Sequence, residues 1–254
     1  MFSFLKLPKR ETKPRKQGIT MVLDKGLSRS DAENLMEASE WIDIIKLGWG
    51  TPLFFPENSL KRKITVYKEN GIEVSNGGTL LEFAYTQGKI DRFLTESKRI
   101  GFTSIEVSSG KVSLTLEDKA AIIRNALDQD FKVYSEVGKK DPKLDIRLSL
   151  RDKIEEARND LETGASKVIL EARESGKVGI YDEFGRVREE SVNKLAGEIG
   201  LNNLIFEAPQ KNQQVWLILA FGSSVNLGNI KPEDAFSLET LRKGVRGDTF
   251  GAIP

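Results

Sequence analysis

The sequence predicts an α/β protein, a single-domain (β/α)8 TIM barrel, on three observations. Short apolar runs rich in Val and Ile alternate with longer amphipathic stretches at intervals of roughly 20 to 35 residues, the rhythm of repeated βαβ units. Eight such units fit within 254 residues, the length typical of this barrel. Six of the apolar runs end in a charged residue: Asp24, Lys46, Glu106, Glu136, Glu171 and Glu207. If all six point inward they ring the C-terminal mouth, where barrel enzymes place their chemistry. A doubly wound open sheet is the alternative architecture.

In order, the expected strands are 18–24 (GITMVLD), 41–47 (WIDIIKL), 71–75 (GIEVS), 104–108 (SIEVS), 131–137 (FKVYSEV), 167–172 (KVILEA), 204–208 (LIFEA) and 224–227 (SVNL). Helices are expected over 28–38, with Ser30 and Glu33 at capping-box spacing, and over 116–129, where Ala120, Ile123 and Leu127 are in phase. Two more are expected over 148–163, ended by Gly164, and over 189–199, ended by Gly200. Residues 1–17 read as a basic N-terminal tail, mobile or serving as an oligomer arm, and 18–254 as the barrel domain.

Composition narrows the chemistry. With 39 Lys+Arg against 38 Asp+Glu the net charge is +1, so no basic excess draws the chain to nucleic acid or anionic lipid. No run approaches the roughly 18 apolar residues of a membrane span, and the basic start lacks a secretory leader's apolar region, so a cytoplasmic protein is expected. The chain has neither Cys nor His, which excludes disulfides, thiol nucleophiles and imidazole-based catalysis or metal ligation. Carboxylates, Lys, Arg, Tyr and hydroxyls must carry any reaction. A metal would be a hard cation on oxygen ligands, with Mg²⁺ the expected choice.

Several candidate roles follow. Asp24, Glu106, Glu136, Glu171 and Glu207 offer oxygen ligands, and converging without a cation they would repel one another. Lys46 follows Ile42 and Ile44 on one strand face and is either a structural salt bridge or a fixed positive charge for an anionic substrate. In the absence of His, Lys139 and Lys140 are the best proton donors, each depressing the other's pKa. Arg173 is suited to bidentate capture of a carboxylate or phosphate. The stretch 221–230 and Arg246-Gly247-Asp248-Thr249 bring glycines to the last two units, a common phosphate-binding region of barrels. Gly77-Gly78 marks a tight turn.

These segments taken together resemble the phosphosulfolactate synthase family, which adds sulfite to phosphoenolpyruvate in one route to coenzyme M. The resemblance rests on Asp24-Lys25-Gly26, 43–51 (DIIKLGWGT), Gly77-Gly78-Thr79 with Glu82, Ile105-Glu106, 136–141 (EVGKKD) and Glu171-Ala172-Arg173-Glu174. It continues through Phe206-Glu207-Ala208-Pro209, 225–230 (VNLGNI) and 246–249 (RGDT), so it spans nearly the whole chain. It implies a Mg²⁺-dependent enzyme, a homo-oligomer such as a trimer, and attack of sulfite on C3 of the enol phosphate, with a lysine protonating C2. By the resemblance Lys140 or Lys139 is the acid, Lys46, Arg173 and Lys25 hold anions, and Asn226 and Gly228 help hold phosphate. The same five carboxylates are the metal candidates. The chain departs from the family after the fourth strand. Ser109 stands where the family usually has Asp or Asn, and Lys111 where it has Thr, which makes another enol phosphate or phosphorylated acid the second reading. Plant proteins linked to heat stress also belong to this family, so a non-catalytic role is a third.

Overall fold

The computed structural model describes residue 2 and residues 4–253. Eight parallel strands close in sequence order into one barrel. They are β1 (Thr20–Asp24), β2 (Ile44–Leu47), β3 (Glu73–Asn76), β4 (Ser104–Val107), β5 (Lys132–Val137), β6 (Lys167–Leu170), β7 (Leu204–Glu207) and β8 (Leu227–Ile230). Every expected strand is present. Only the eighth is displaced, beginning at Leu227, after the expected Ser224 start. Around the barrel run α1 (Arg29–Leu35), α2 (Glu57–Glu69), α3 (Gly78–Tyr85), α4 (Ile90–Ile100), α5 (Leu116–Asp128), α6 (Pro142–Asp145), α7 (Leu150–Thr163), α8 (Glu189–Ile199), α9 (Lys211–Phe221) and α10 (Ala235–Arg242).

Helix ends follow local chemistry. Ser149 and Asp152 close a capping box on α7, and Gly164 ends it at φ 117°, a conformation that favours glycine. At α1 the cap is Ser28, accepting from Asp31 N, and not the expected Ser30/Glu33 pair. Both pairs have the same spacing, and the chain turns helical two residues earlier.

Strand alternation divides the apolar residues into two cores. Outward positions such as Val22, Ile45, Val74, Ile105, Val133, Val168 and Leu204 pack under the helices. Inward positions Ile19, Met21, Ile44, Tyr134, Ile169 and Ile205 fill the barrel itself. This apolar plug is a dry floor beneath the mouth.

The opposite end is closed by residues expected to form a mobile tail. The Arg15 side chain is 1% exposed and reaches Asp43 Oδ1 at 3.1 Å and Glu40 O at 2.8 Å. Arg10 pairs with Glu239 of α10. The buried guanidinium of Arg242 donates to Val225 O at 2.7 Å and Ile19 O at 3.2 Å, tying β8 to β1 from below. Arg10, Lys13 and Arg15 anchor this segment to the barrel, whose lower rim presents Asp43, Glu40, Glu239 and the Ser39 carbonyl.

Candidate active site

Five of the six charged strand ends point inward together. Because Ile44, Tyr134, Ile169 and Ile205 face the interior, the residues two positions on, Lys46, Glu136, Glu171 and Glu207, rise from the apolar floor into the mouth. Glu106 joins them from β4, and all five are buried. One carboxylate oxygen each from Glu136, Glu171 and Glu207 lies within 4.8 Å of the others.

Each carboxylate is held in place by its surroundings. Glu106 Oε1 accepts from Gly78 N at 2.8 Å, and Glu207 Oε2 from Ala172 N at 2.8 Å. Glu171 Oε1 accepts from Arg173 N at 2.6 Å, with Arg173 at φ 58°. The start of α3 comes so close to β4 that a Cβ on Gly78 would collide with Ser108 and lie 3.0 Å from Glu106 Oε1. That close approach requires glycine there.

Lys46 Nζ lies 2.9 Å from Glu207 Oε1 and 3.0 Å from Glu106 Oε2, so it is the internal counter-charge of the site. Lys140 Nζ reaches in from the β5 loop, 3.3 Å from Glu136 Oε1, 3.8 Å from Glu171 Oε2 and 3.2 Å from Thr79 Oγ1. Four glutamates with two inward ammoniums leave acceptors over. Glu106 Oε2, Glu136 Oε1 and Glu171 Oε2 are buried and face these ammoniums only as ion pairs, none of them completing a hydrogen bond.

Titration reflects the crowding. Burial, followed by the neighbouring carboxylates of Glu136 and Glu207, pushes Glu171 well above the usual carboxylate range. Burial pushes Glu106 up to about 7 against the pull of Lys46. Burial would also raise Glu136, but Lys140 and Lys46 overcome it and hold Glu136 near about 2. Burial alone would likewise lower Lys140, yet Glu136, Glu171, Glu82 and Glu106 raise it and keep it protonated. A protonated carboxylic acid among ionised ones is what a dication would displace. Three convergent, partly orphaned carboxylates fit a hard cation, and Glu136, Glu171 and Glu207 are the residues that would hold it.

The two lysines expected as a mutually depressing pair diverge. Lys139 Nζ turns outward to the carbonyls of Ser109 and Val112, while Lys140 turns inward. Burial lowers Lys139, whereas carboxylates dominate at Lys140.

Three expected site residues stand elsewhere. Asp24 shares the outward face of β1 with Val22, one position out of phase with the inward residues. Its carboxylate is 2.7 Å from Lys63 Nζ, 2.9 Å from Tyr67 Oη, and accepts from Gly26 N and Leu27 N. It fastens α2 to the barrel and has no reach into the mouth. Asn226 precedes β8 at its lower end, where Oδ1 accepts from Ile19 N at 3.0 Å and Nδ2 donates to Leu204 O at 2.9 Å. It bridges β7 to β1 and cannot hold phosphate at the mouth. Gly228 lies within the barrel, where a Cβ would meet Ile205 at 3.1 Å and Glu207 at 3.8 Å, so it gives room below the site. Lys25 is exposed at the rim, its ammonium 5.0 Å from the Trp49 ring. Arg173 is exposed and lines the mouth. The 246–249 segment ties to α9 and α10 through Lys211–Asp248 (2.9 Å) and Thr249 Oγ1 to Leu241 O (2.8 Å).

The mouth encloses about 250 Å³, and its lining includes Asn229, Trp49 and Thr79, which lie in segments the sequence reading quoted but to which it assigned no individual site role. Asn229 takes φ 51° and presents a buried Oδ1 with no hydrogen-bond partner. Its signal in the sequence was its place one position beyond Gly228 in the VNLGNI string. Lys119 was also missed. It is a buried lysine on α5 that donates to Glu136 O at 2.9 Å and pairs with Asp160 (2.7 Å) and Glu156 (2.6 Å), bracing β5 from outside. A larger hollow of about 520 Å³ lies outside the barrel beside α6 and α7. Its Asp145 is already paired with Lys153 at 2.8 Å, and no orphaned buried acceptor lines it among the described residues.

The chain is similar to known proteins along almost its whole length. The family described as (2R)-phospho-3-sulfolactate synthase matches residues 8–248. The phosphosulfolactate synthase of Methanothermobacter thermautotrophicus is 47% identical over 254 residues, covering 99% of this chain and 98% of that one. The Bacillus subtilis phosphosulfolactate synthase is 42% identical, with 97% of both chains covered. The Arabidopsis thaliana protein HEAT-STRESS-ASSOCIATED 32 is 23% identical over 94% of this chain and 91% of its own. Among solved structures, 3-hexulose-6-phosphate synthase superposes with a TM-score of 0.55 at 16% identity, over 93% of this chain and all of that one, a likeness of fold.

Proposed function

Since the chain belongs to the phosphosulfolactate synthase family of carbon–sulfur bond-forming lyases, we propose that its barrel mouth adds sulfite to phosphoenolpyruvate, with Mg²⁺ as cofactor. The observation that carries the reading is the convergence of Glu136, Glu171 and Glu207 on one point beside two ammonium groups.

The reaction forms a C–S bond at C3 and moves the C2=C3 π pair towards the carboxylate, where negative charge accumulates before C2 takes a proton. Bound Mg²⁺ would supply Lewis-acid stabilisation of that developing charge. The chain does the rest. Lys140 brings an ammonium inside the mouth, the position from which C2 would take its proton; the carboxylates that raise it also hold that proton tightly, so donation requires their charge to be offset, while Lys139 is turned to the loop carbonyls. Lys46 is fixed between Glu106 and Glu207 at the floor of the site, where it offsets part of the carboxylate charge and orients those two side chains. Arg173 at the rim meets the substrate's anionic groups. The Ile19–Met21–Ile44–Tyr134–Ile169–Ile205 plug excludes water from below. The same reading takes the working enzyme as a homo-oligomer, for which exposed Phe54 and Phe83 offer apolar surface.

Purified protein with phosphoenolpyruvate, sulfite and Mg²⁺ tests it through loss of the enol absorbance. The expected result is sulfite-dependent loss abolished by EDTA. No loss, with phosphoenolpyruvate still raising Tm, would leave an anion site whose nucleophile is another.

A further inference from the structure

The loop that follows β4 is clamped on both sides. Glu82 of α3 is buried, and its carboxylate accepts from Ser108 Oγ, Gly110 N (3.1 Å), Lys111 N (2.6 Å) and Val112 N (2.8 Å). From the other side Lys140 N donates to Gly110 O at 3.0 Å, and Lys139 Nζ reaches the Ser109 and Val112 carbonyls. A loop held by this many charge-assisted bonds places residue 111 firmly.

The Lys111 side chain lines the mouth, and its ammonium makes no ion pair or hydrogen bond among the described residues. The other lysines of the mouth differ. Lys46 is spent on Glu106 and Glu207, and Lys140 faces Glu136, Glu82 and Glu171. Only Lys111 and Arg173 line this cavity as cations without a carboxylate partner among the described residues. A cation whose backbone is fixed and whose charge is uncompensated, above a site whose ammoniums are already paired, is built to meet an incoming anion.

We propose that Lys111 binds an oxyanion group of the substrate at the rim and sets the enzyme's affinity for it. The group is the phosphate of the enol phosphate or the sulfite itself, and this assignment rests on the reaction proposed above. Glu82 is its positioning residue.

Lys111→Gln and Lys111→Arg test it. In steady state, K111Q should raise KM for one of the two substrates by about tenfold, the effect of losing one charge-assisted contact, with kcat within about twofold, and K111R should restore it. A rise for phosphoenolpyruvate assigns the phosphate, and a rise for sulfite alone assigns sulfite. Calorimetric titration with inorganic phosphate separates this claim from the reaction. If the parent protein turns over neither substrate, the reaction fails, yet a phosphate Kd weakened in K111Q and recovered in K111R still supports the rim site. Equal KM values and equal phosphate Kd in parent and K111Q would overturn the proposal, as would a parent with neither turnover nor phosphate binding.

Discussion

Adjacent lysines on one loop have opposite fates. Lys140 enters a nest of carboxylates, while Lys139 caps loop carbonyls, because consecutive side chains at the end of β5 leave in different directions. Lys140→Met should therefore lower kcat by about 10² to 10⁴-fold, whereas Lys139→Met changes it by less than about tenfold. Rates of the two purified variants decide this, and equal losses would remove Lys140 as the acid. Asp24 and Asn226 are tested by stability. Asp24→Ala strands Lys63 in the interior and should cost about 3–5 kcal/mol in urea unfolding. Asn226→Ala abandons a buried N–H and a buried carbonyl and should cost about 1–3 kcal/mol. Both should leave Mg²⁺ affinity unchanged, and a tenfold weakening in either would return that residue to the site.

At the scale of elements, the ends of β4, β5 and β6 make the site pH-sensitive. In the unfolded chain Glu106 and Glu171 titrate near about 4.3, but in the fold Glu106 rises to about 7 and Glu171 well above the carboxylate range. From about pH 4.5 upwards the folded state thus holds more protons than the unfolded one, so these two groups cost stability as pH rises. Glu136, depressed to about 2, acts oppositely, and its contribution is lost only as pH falls below about 4. A dication held by Glu136, Glu171 and Glu207 would compete with the proton on Glu171, so the rise in Tm caused by Mg²⁺ should be larger at pH 8 than at pH 5.5. Thermal melts with and without Mg²⁺ check it, and a rise that shrinks with pH contradicts it. The strands themselves were legible because apolar runs ending in a charge declare both strand and mouth. Their phase was legible where an apolar residue two positions earlier faces inward, as at Ile44, Tyr134, Ile169 and Ile205. It failed at Asp24, since Val22 is equally apolar but faces the helices, and burial on both sides of a barrel strand erases the alternation that would tell the faces apart. Asn226 was misplaced because the last strand starts at Leu227, which drops the residue before it to the lower end.

Over the whole molecule, the apolar plug, the arginines below it and the carboxylate ring above it form three layers along one axis. The upper layer concentrates buried charge that does not balance itself without a cation. Clusters of this kind contribute little to stability, so their retention points to chemistry. What composition alone conveyed was the reaction's vocabulary: without His or Cys, proton transfer falls to lysine and metal binding to oxygen. The loop clamp on Glu82 and the brace at Lys119 were not legible, because each joins residues 17 or more positions apart through side chains that read locally as ordinary helix surface. The most direct test of the account is ³¹P NMR of phosphoenolpyruvate incubated with sulfite, Mg²⁺ and the protein. The account predicts that the enol phosphate resonance is replaced by a single new phosphomonoester on saturated carbon, only when sulfite is present. Release of inorganic phosphate, or an enol phosphate signal unchanged with sulfite and Mg²⁺ present, would contradict it.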